Sequence, residues 1–243
     1  MNTLVSAVVA LALTACSPAG TTQPATSGTT TTSSSTANET TATTSSAATT
    51  ASATTGTTAT TAAEENRPMD YYKDKVAELH TSSGEIDIRF FPDAAPNHVK
   101  NFIDLAEKGF YNGTKFHRVI PGFMIQGGDP NTISGPPATW GTGGSGKHVD
   151  AEFNNIHHAR GIVSMARAQD PNSASSQFFI CVADSGFLDK QYTVFGQVTK
   201  GMDVADKIVS ASRNAQDRPD SPTTIEKVVI RAAKDSEKGT APK

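Results

Sequence analysis

Apolar positions cluster or alternate in two short runs, residues 76–81 and 85–90, on either side of Ser82-Ser83-Gly84. Two such runs around a small polar turn predict a β-hairpin. The period then changes. Over 96–108, Val99, Phe102, Ile103 and Ala106 fall at i, i+3, i+4 and i+7, with Pro96 at the start and Gly109 just past the end, which predicts an amphipathic helix. Short apolar runs follow at 115–120, 123–127, 162–166, 177–182 and 192–198, then a second helical pattern at 202–210 and a last strand at 225–231. Eight short strands and two helices predict a mainly β fold, a closed or nearly closed barrel.

Upstream of residue 67 this patterning vanishes. All 21 Lys and Arg lie at or beyond Arg67, whereas residues 17–63 hold twenty Thr and eight Ser among 47 positions, with one charge, Glu39. Such a stretch cannot bury a core and reads as a disordered tether. As a flexible coil it spans about 40 Å. The remaining 67–233 is the length of one domain, and the charged tail 234–243 is expected to be disordered.

The first residues form a separate unit. Residues 4–13 are apolar apart from Ser6, a run that suits an export signal at 1–15 and falls short of the ~20 residues of a membrane-spanning helix. No Lys or Arg precedes it, where such signals ordinarily carry one. It ends in Leu13-Thr14-Ala15-Cys16, which resembles a bacterial lipobox. That resemblance implies a lipidated Cys16 at the mature N-terminus, the tether 16–66 behind it, and an envelope location outside the cytoplasm, anchored to the membrane. Acyl chains there give stable anchoring.

The formal net charge of −3 and the absence of a dense Lys/Arg run argue against a nucleic-acid partner. With only Cys16 and Cys181 a disulfide framework is excluded. Cys181 reads as a small packing residue. Adjacent His157 and His158 point to different sides and have no Cys or carboxylate cluster at ligand spacing, so no metal is expected.

The chemistry concentrates in Phe116-His117-Arg118-Val119-Ile120-Pro121-Gly122-Phe123-Met124-Ile125-Gln126-Gly127-Gly128-Asp129, with Ser175-Ser176-Gln177-Phe178-Phe179-Ile180 and Phe187-Leu188-Asp189. Together these closely resemble the cyclophilin family of peptidyl-prolyl isomerases, over about residues 76–230. The resemblance implies an eight-stranded antiparallel barrel with two capping helices, its cleft on the outer surface. Period-2 alternation puts Gln177 and Phe179 on one face and Phe178 and Ile180 on the other; Met124 and Gln126 likewise share a face.

Membership implies rotation about X-Pro bonds of polypeptides without a cofactor; together with the export signal, the expected role is to assist the folding of exported proteins, with the domain expected to be a monomer. The barrier, ~18–20 kcal/mol, comes from lost amide resonance, so no nucleophile, metal or proton transfer is needed. By resemblance Arg118 is the catalytic donor to the proline nitrogen, and Gln126 orients it. An apolar pocket is assigned to Phe123, Met124, Phe179, Leu188 and Tyr192, with Phe187 at its border. Ala166, Arg167 and Ala168 are expected to hydrogen-bond the peptide before proline, with Gln177 alongside and Gly141 to Gly146 as the rim. His117, on the opposite face from Arg118, is expected to be structural.

Composition alone would make Arg118 a solvated strand residue and the pocket residues core; only the motif reverses that reading. Phe187 stands where the best-known eukaryotic members carry Trp, Tyr192 where they carry His, and Arg167 where they carry Asn. These departures imply weak cyclosporin inhibition while leaving Arg118 and the pocket in place. A binding module without turnover and a structural surface lipoprotein are the competing readings. Retention of Arg118 and Gln126 favours catalysis over the first, and the second accounts for none of the motif.

Overall fold

The computed structural model describes residues 67–238 and 241–242. The expected export signal, Cys16 and the tether lie outside the described residues. Among the described residues no helix is long and apolar enough to cross a membrane.

Eight strands pair antiparallel: β1 Lys75–Thr81, β2 Gly84–Phe90, β3 Arg118–Ile120, β4 Met124–Gly127, β5 Ile162–Met165, β6 Phe178–Cys181, β7 Val194–Lys200 and β8 Ile225–Ala232. They form one sheet in the order β3-β4-β6-β5-β7-β2-β1-β8. The sheet curls until its two edge strands nearly meet. Loop backbone stitches that seam: Gly113 N–H donates to Ile225 C=O (2.8 Å), Ile225 N–H to Thr114 C=O (2.7 Å) and Phe116 N–H to Thr223 C=O (3.0 Å).

The run expected as a strand over 115–120 is regular only from Arg118. Lys115 bridges Asp129 on one side and Thr224 on the other, while Phe116 N–H turns to Thr223 and His117 N–H to Gln126. Two partners compete for these residues, so no single ladder forms.

The predicted helices are α1, Pro96–Glu107, and α3, Met202–Val209; between them α2, Asn131–Ser134, was not foreseen. Four residues are too few to show a helical period. The apolar stripe of α1 buries Val99, Phe102, Ile103 and Ala106. Phe102 packs at the centre of the barrel, with ring centroids 5.5 Å from Phe90, 4.8 Å from Tyr111, 5.4 Å from Phe178 and 5.5 Å from Phe195. Aromatic rings at these separations add to the area they bury. Helix α3 lies against the β1–β2 hairpin, and there Gly84 is required. Its φ is 140°, and a Cβ would sit 2.7 Å from the Val204 side chain.

The tail is ordered further than its composition predicts. A 3-10 turn forms at Asp235–Glu237, and the guanidinium of Arg231 grips Glu237 bidentately at 2.6 and 2.7 Å. A forked, charge-assisted pair of this kind is strong enough to order a short segment.

Candidate active site

Register alone aligns the site. Arg118 on β3 is opposite Gln126 on β4, Gln126 is opposite Phe179 on β6, and Phe179 is opposite Ser164 on β5. One step along, Ile120, Met124 and Cys181 form the next row on that face. Residues directly opposite share a face, and strands lie about 4.8 Å apart, so Arg118 stands roughly 10 Å from Phe179. The alternate residues Val119, Ile125, Phe178 and Ile180 belong to the barrel core. Arg118, Gln126, Met124 and Phe179 therefore share the outer face, with Gln177 held beside Gln126.

An apolar patch occupies that face. Met124, Phe179, Cys181 and Leu188 are buried together, with Ile120, Phe123, Ala166 and Tyr192 packed around them. Tyr192 meets Phe179 edge-on at 5.6 Å, and Phe187, 56% exposed, leans on Phe123 at 5.2 Å. Every pocket residue named from the sequence is thus within one cluster or at its border. Cys181 is fully buried in it, and burial pushes its thiol up to about 12. A thiol buried among apolar side chains is in the setting of a packing residue.

Polar groups fix the two ends. Gln126 Nε2–H donates to Gln177 Oε1 (2.8 Å), and Gln177 Nε2–H donates to the carbonyls of Gly141 (2.9 Å) and Gly143 (2.8 Å). The glycine-rich wall is thereby tied to the centre of the site. Asp129, fully buried, accepts from Asn131 N–H (2.8 Å) and from Gly141 N–H. At Gly143 a Cβ would fall 2.2 Å from the Asp129 carboxylate, so only glycine fits. His117 lies beneath this wall, 5% exposed, with neither ring nitrogen hydrogen-bonded; burial holds its pKa below the usual value.

At the other end the structure refines one expectation. Ala166 N–H already donates to Gln177 C=O (2.9 Å), and Ala168 N–H to Ser173 Oγ (2.9 Å). Neither is available to a peptide. The Arg167 side chain is also committed, to the carbonyls of Gln191, Ala168 and Gln169 at 2.9–3.1 Å, and it lies over the Tyr192 ring at 4.9 Å. The segment's remaining N–H, that of Arg167, is the one these bonds do not take up.

Sequence reasoning missed the layer behind Phe179. The fully buried His158 stacks on the Phe179 ring at 6.3 Å, with Nε2 3.2 Å from Ser164 Oγ and Nδ1 2.8 Å from Asp189. His157 bridges Asp189 (2.8 Å) and Asp184 (2.6 Å). Burial depresses His158, while Asp189 and then Asp184 raise His157. Burial works to raise Asp189, but hydrogen bonds from His157 and His158 hold it at about 2. The one signal was Asp189, inside the Phe187-Leu188-Asp189 motif. Among the described residues, a different set, Glu78, Glu85 and Asp87, brings three carboxylates within 4.8 Å of one another. It lies on β1 and β2, where Arg231 and Lys200 pair with it.

Residues 76–230 match the family of cyclophilin type peptidyl-prolyl cis-trans isomerase/CLD. A probable peptidyl-prolyl cis-trans isomerase of Brucella abortus (strain 2308) is 46% identical over 159 residues, covering 63% of this chain and 81% of that protein. Peptidyl-prolyl cis-trans isomerase B of Escherichia coli (strain K12) is 44% identical over 165 residues, covering 63% of this chain and 97% of its own. A crystal structure of a Cryptosporidium parvum cyclophilin type isomerase, determined in the presence of the dipeptide Ala-Pro, is 31% identical. It covers 65% of this chain and 99% of that one, with a TM-score of 0.59. Fold, motif and relatives agree: the chain belongs to the cyclophilin-type peptidyl-prolyl cis-trans isomerases.

Proposed function

We propose that this isomerase acts on exported proteins as they fold beyond the membrane, held there by a lipid on Cys16, and that Arg118 stabilises the twisted X-Pro amide. The observation that carries the mechanism is the row Arg118–Gln126–Phe179, which sets a permanent cation across one face from an apolar floor.

Twisting the C–N bond removes amide resonance and returns a lone pair to the proline nitrogen. A donor aimed at that nitrogen binds the twisted state better than either planar one, and such differential binding is catalysis. A guanidinium is always charged and presents its donors in fixed geometry, whereas a lysine is a mobile point charge. Met124, Phe179 and Leu188, with Phe123 and Tyr192 around them, seat the proline ring while the other side of the bond turns. Arg167 backbone groups bind the residue before proline. Lowering a ~20 kcal/mol barrier to a turnover of about 10³ per second needs roughly 6–7 kcal/mol, within reach of several modest contacts. The Cryptosporidium parvum relative was crystallised in the presence of Ala-Pro, which supports a proline-containing peptide as substrate here.

The Leu13-Thr14-Ala15-Cys16 sequence and the Thr-rich tether support the anchored location, with the domain working as a monomer. Two measurements test the proposal. In the full-length protein, Arg118→Ala is expected to lower kcat/KM for a short X-Pro peptide about 100-fold, the scale of losing one transition-state donor; a change within twofold overturns the mechanism. Mass spectrometry of the mature protein is expected to find acylated Cys16, and an unmodified Cys16 overturns the anchoring.

A further inference from the structure

Among the described residues one carboxylate stands within ion-pair reach of the Arg118 guanidinium: Asp217, its Oδ2 3.9 Å from Nε. It belongs to the connection between α3 and β8, far from the motif in sequence. That connection is a built loop. Asp217 C=O accepts from Val119 N–H (2.8 Å), a donor on an edge strand of the sheet. Asp217 N–H donates to Asn214 C=O (3.1 Å) and Asn214 N–H to Arg218 C=O (3.0 Å), while Asn214 Oδ1 accepts from Gln216 N–H (3.0 Å) and Arg218 N–H (3.1 Å). Arg218 reaches across to Pro137 C=O (2.9 Å).

The geometry of Asp217 itself is unusual. Its φ is +59°, a left-handed conformation uncommon for a residue other than glycine. Its second oxygen is 3.3 Å from Arg213 Nε. The carboxylate is thus fixed by the backbone it sits on, by the strand that backbone bonds, and by a second guanidinium. It is also only partly exposed, 32% against 27% for the Arg118 side chain.

We propose that Asp217 is a positioning residue for the isomerase reaction, holding the Nε edge of Arg118 so that the terminal nitrogens face the cleft. This rests on Arg118 being the donor to the proline nitrogen. An arginine side chain carries about 2 kcal/mol of rotamer entropy, and a donor that must find its orientation anew in each turnover loses part of its effect. A fixed carboxylate removes that search before substrate arrives. At 3.9 Å the contact is ionic rather than a hydrogen bond, so its charge is what matters, and partial exposure limits the effect.

The test uses the full-length protein with Asp217→Asn and Asp217→Gly, both residue types that tolerate a left-handed φ. Each is made with Arg118 present and in an Arg118→Ala background, and kcat and KM are read by exchange NMR on an X-Pro peptide. The expected result is a fall in kcat of about fivefold, the upper range for a partly exposed ion pair, with KM within twofold. In the Arg118→Ala background the same substitutions are expected to change nothing further, and the Nε–H resonance of Arg118 is expected to broaden in Asp217→Asn. An equal loss in both backgrounds assigns Asp217 to the fold and overturns the inference. So does an unchanged kcat, and so does a raised kcat, which would make the carboxylate a screen of the Arg118 charge. If Arg118→Ala alone leaves kcat intact, the underlying donor assignment falls, an outcome read without any Asp217 variant.

Discussion

Replacing Glu152 by Ala should unseat the N-terminus of α1. That helix has no side-chain cap of its own: Ala95 occupies the capping position and Pro96 the first turn. The first free N–H groups belong to Asn97 and His98, and Glu152, from a distant loop, accepts from both at 3.0 Å. Its carboxylate also accepts from Asn97 Nδ2 (2.9 Å) and meets His98 Nδ1 at 2.7 Å, with His98 only 1% exposed. A lost cap costs about 1 kcal/mol, the lost charge at a helix N-terminus about 0.5 kcal/mol, and a buried ring N–H left without a partner about 2 kcal/mol. The sum is about 3–4 kcal/mol, and at ~2–4 °C per kcal/mol for a domain of this size Tm should fall by about 10 °C. Scanning calorimetry of the full-length protein at pH 7 measures it; a fall of less than about 3 °C refutes the capping argument. Acid supplies an internal control. Burial acts to raise the pKa of Glu152, but hydrogen bonds from His98 and from the Asn97 and His98 backbone hold it below the usual value. The folded pKa being depressed, this contribution is present above the unfolded value of about 4.3 and lost as pH falls through the folded one. The gap between wild type and Glu152→Ala should therefore close in acid.

In a chain with Cys16→Ser, Cys181 should react with an aromatic disulfide reagent only on unfolding, since burial pushes its thiol up to about 12; labelling within minutes at pH 8 in the native state would contradict this. The His157 ring should titrate by NMR above its usual midpoint of about 6.5, because Asp189 and Asp184 raise it, and Asp189→Asn should bring the midpoint down. With the folded pKa raised, its stabilising share is present below about 6.5 and lost as pH rises through the folded value; a midpoint at or below the usual one would contradict the bridging geometry.

What was legible in the sequence was whatever a regular period carries. Alternation along 177–180 sorted Gln177 and Phe179 from Phe178 and Ile180, and β6 keeps that sorting because a pleated strand sends successive side chains to opposite faces. The helical spacing of Val99, Phe102, Ile103 and Ala106 gave α1 to within one residue of its observed end at Glu107. Illegible were the polar residues whose conformation is set by a partner remote in sequence. Glu152 is a loop acid until Asn97 and His98 are placed beside it. Glu237 belongs to a charged tail until Arg231 forks onto it. Asp217 lies in a hydrophilic connection until Val119 offers it an edge N–H. In each case an acidic residue accepts from backbone N–H groups or a guanidinium that the local chain leaves unsatisfied, and unsatisfied donors are a property of the assembled fold. The same limit acts within the active site. The motif named Ala166 and Ala168 as peptide-binding positions, but which N–H groups of that segment are already spent, on Gln177 C=O and Ser173 Oγ, follows only once β5 and β6 are in register. A motif names residues, whereas the donors a substrate meets are those left over after the fold has satisfied its own.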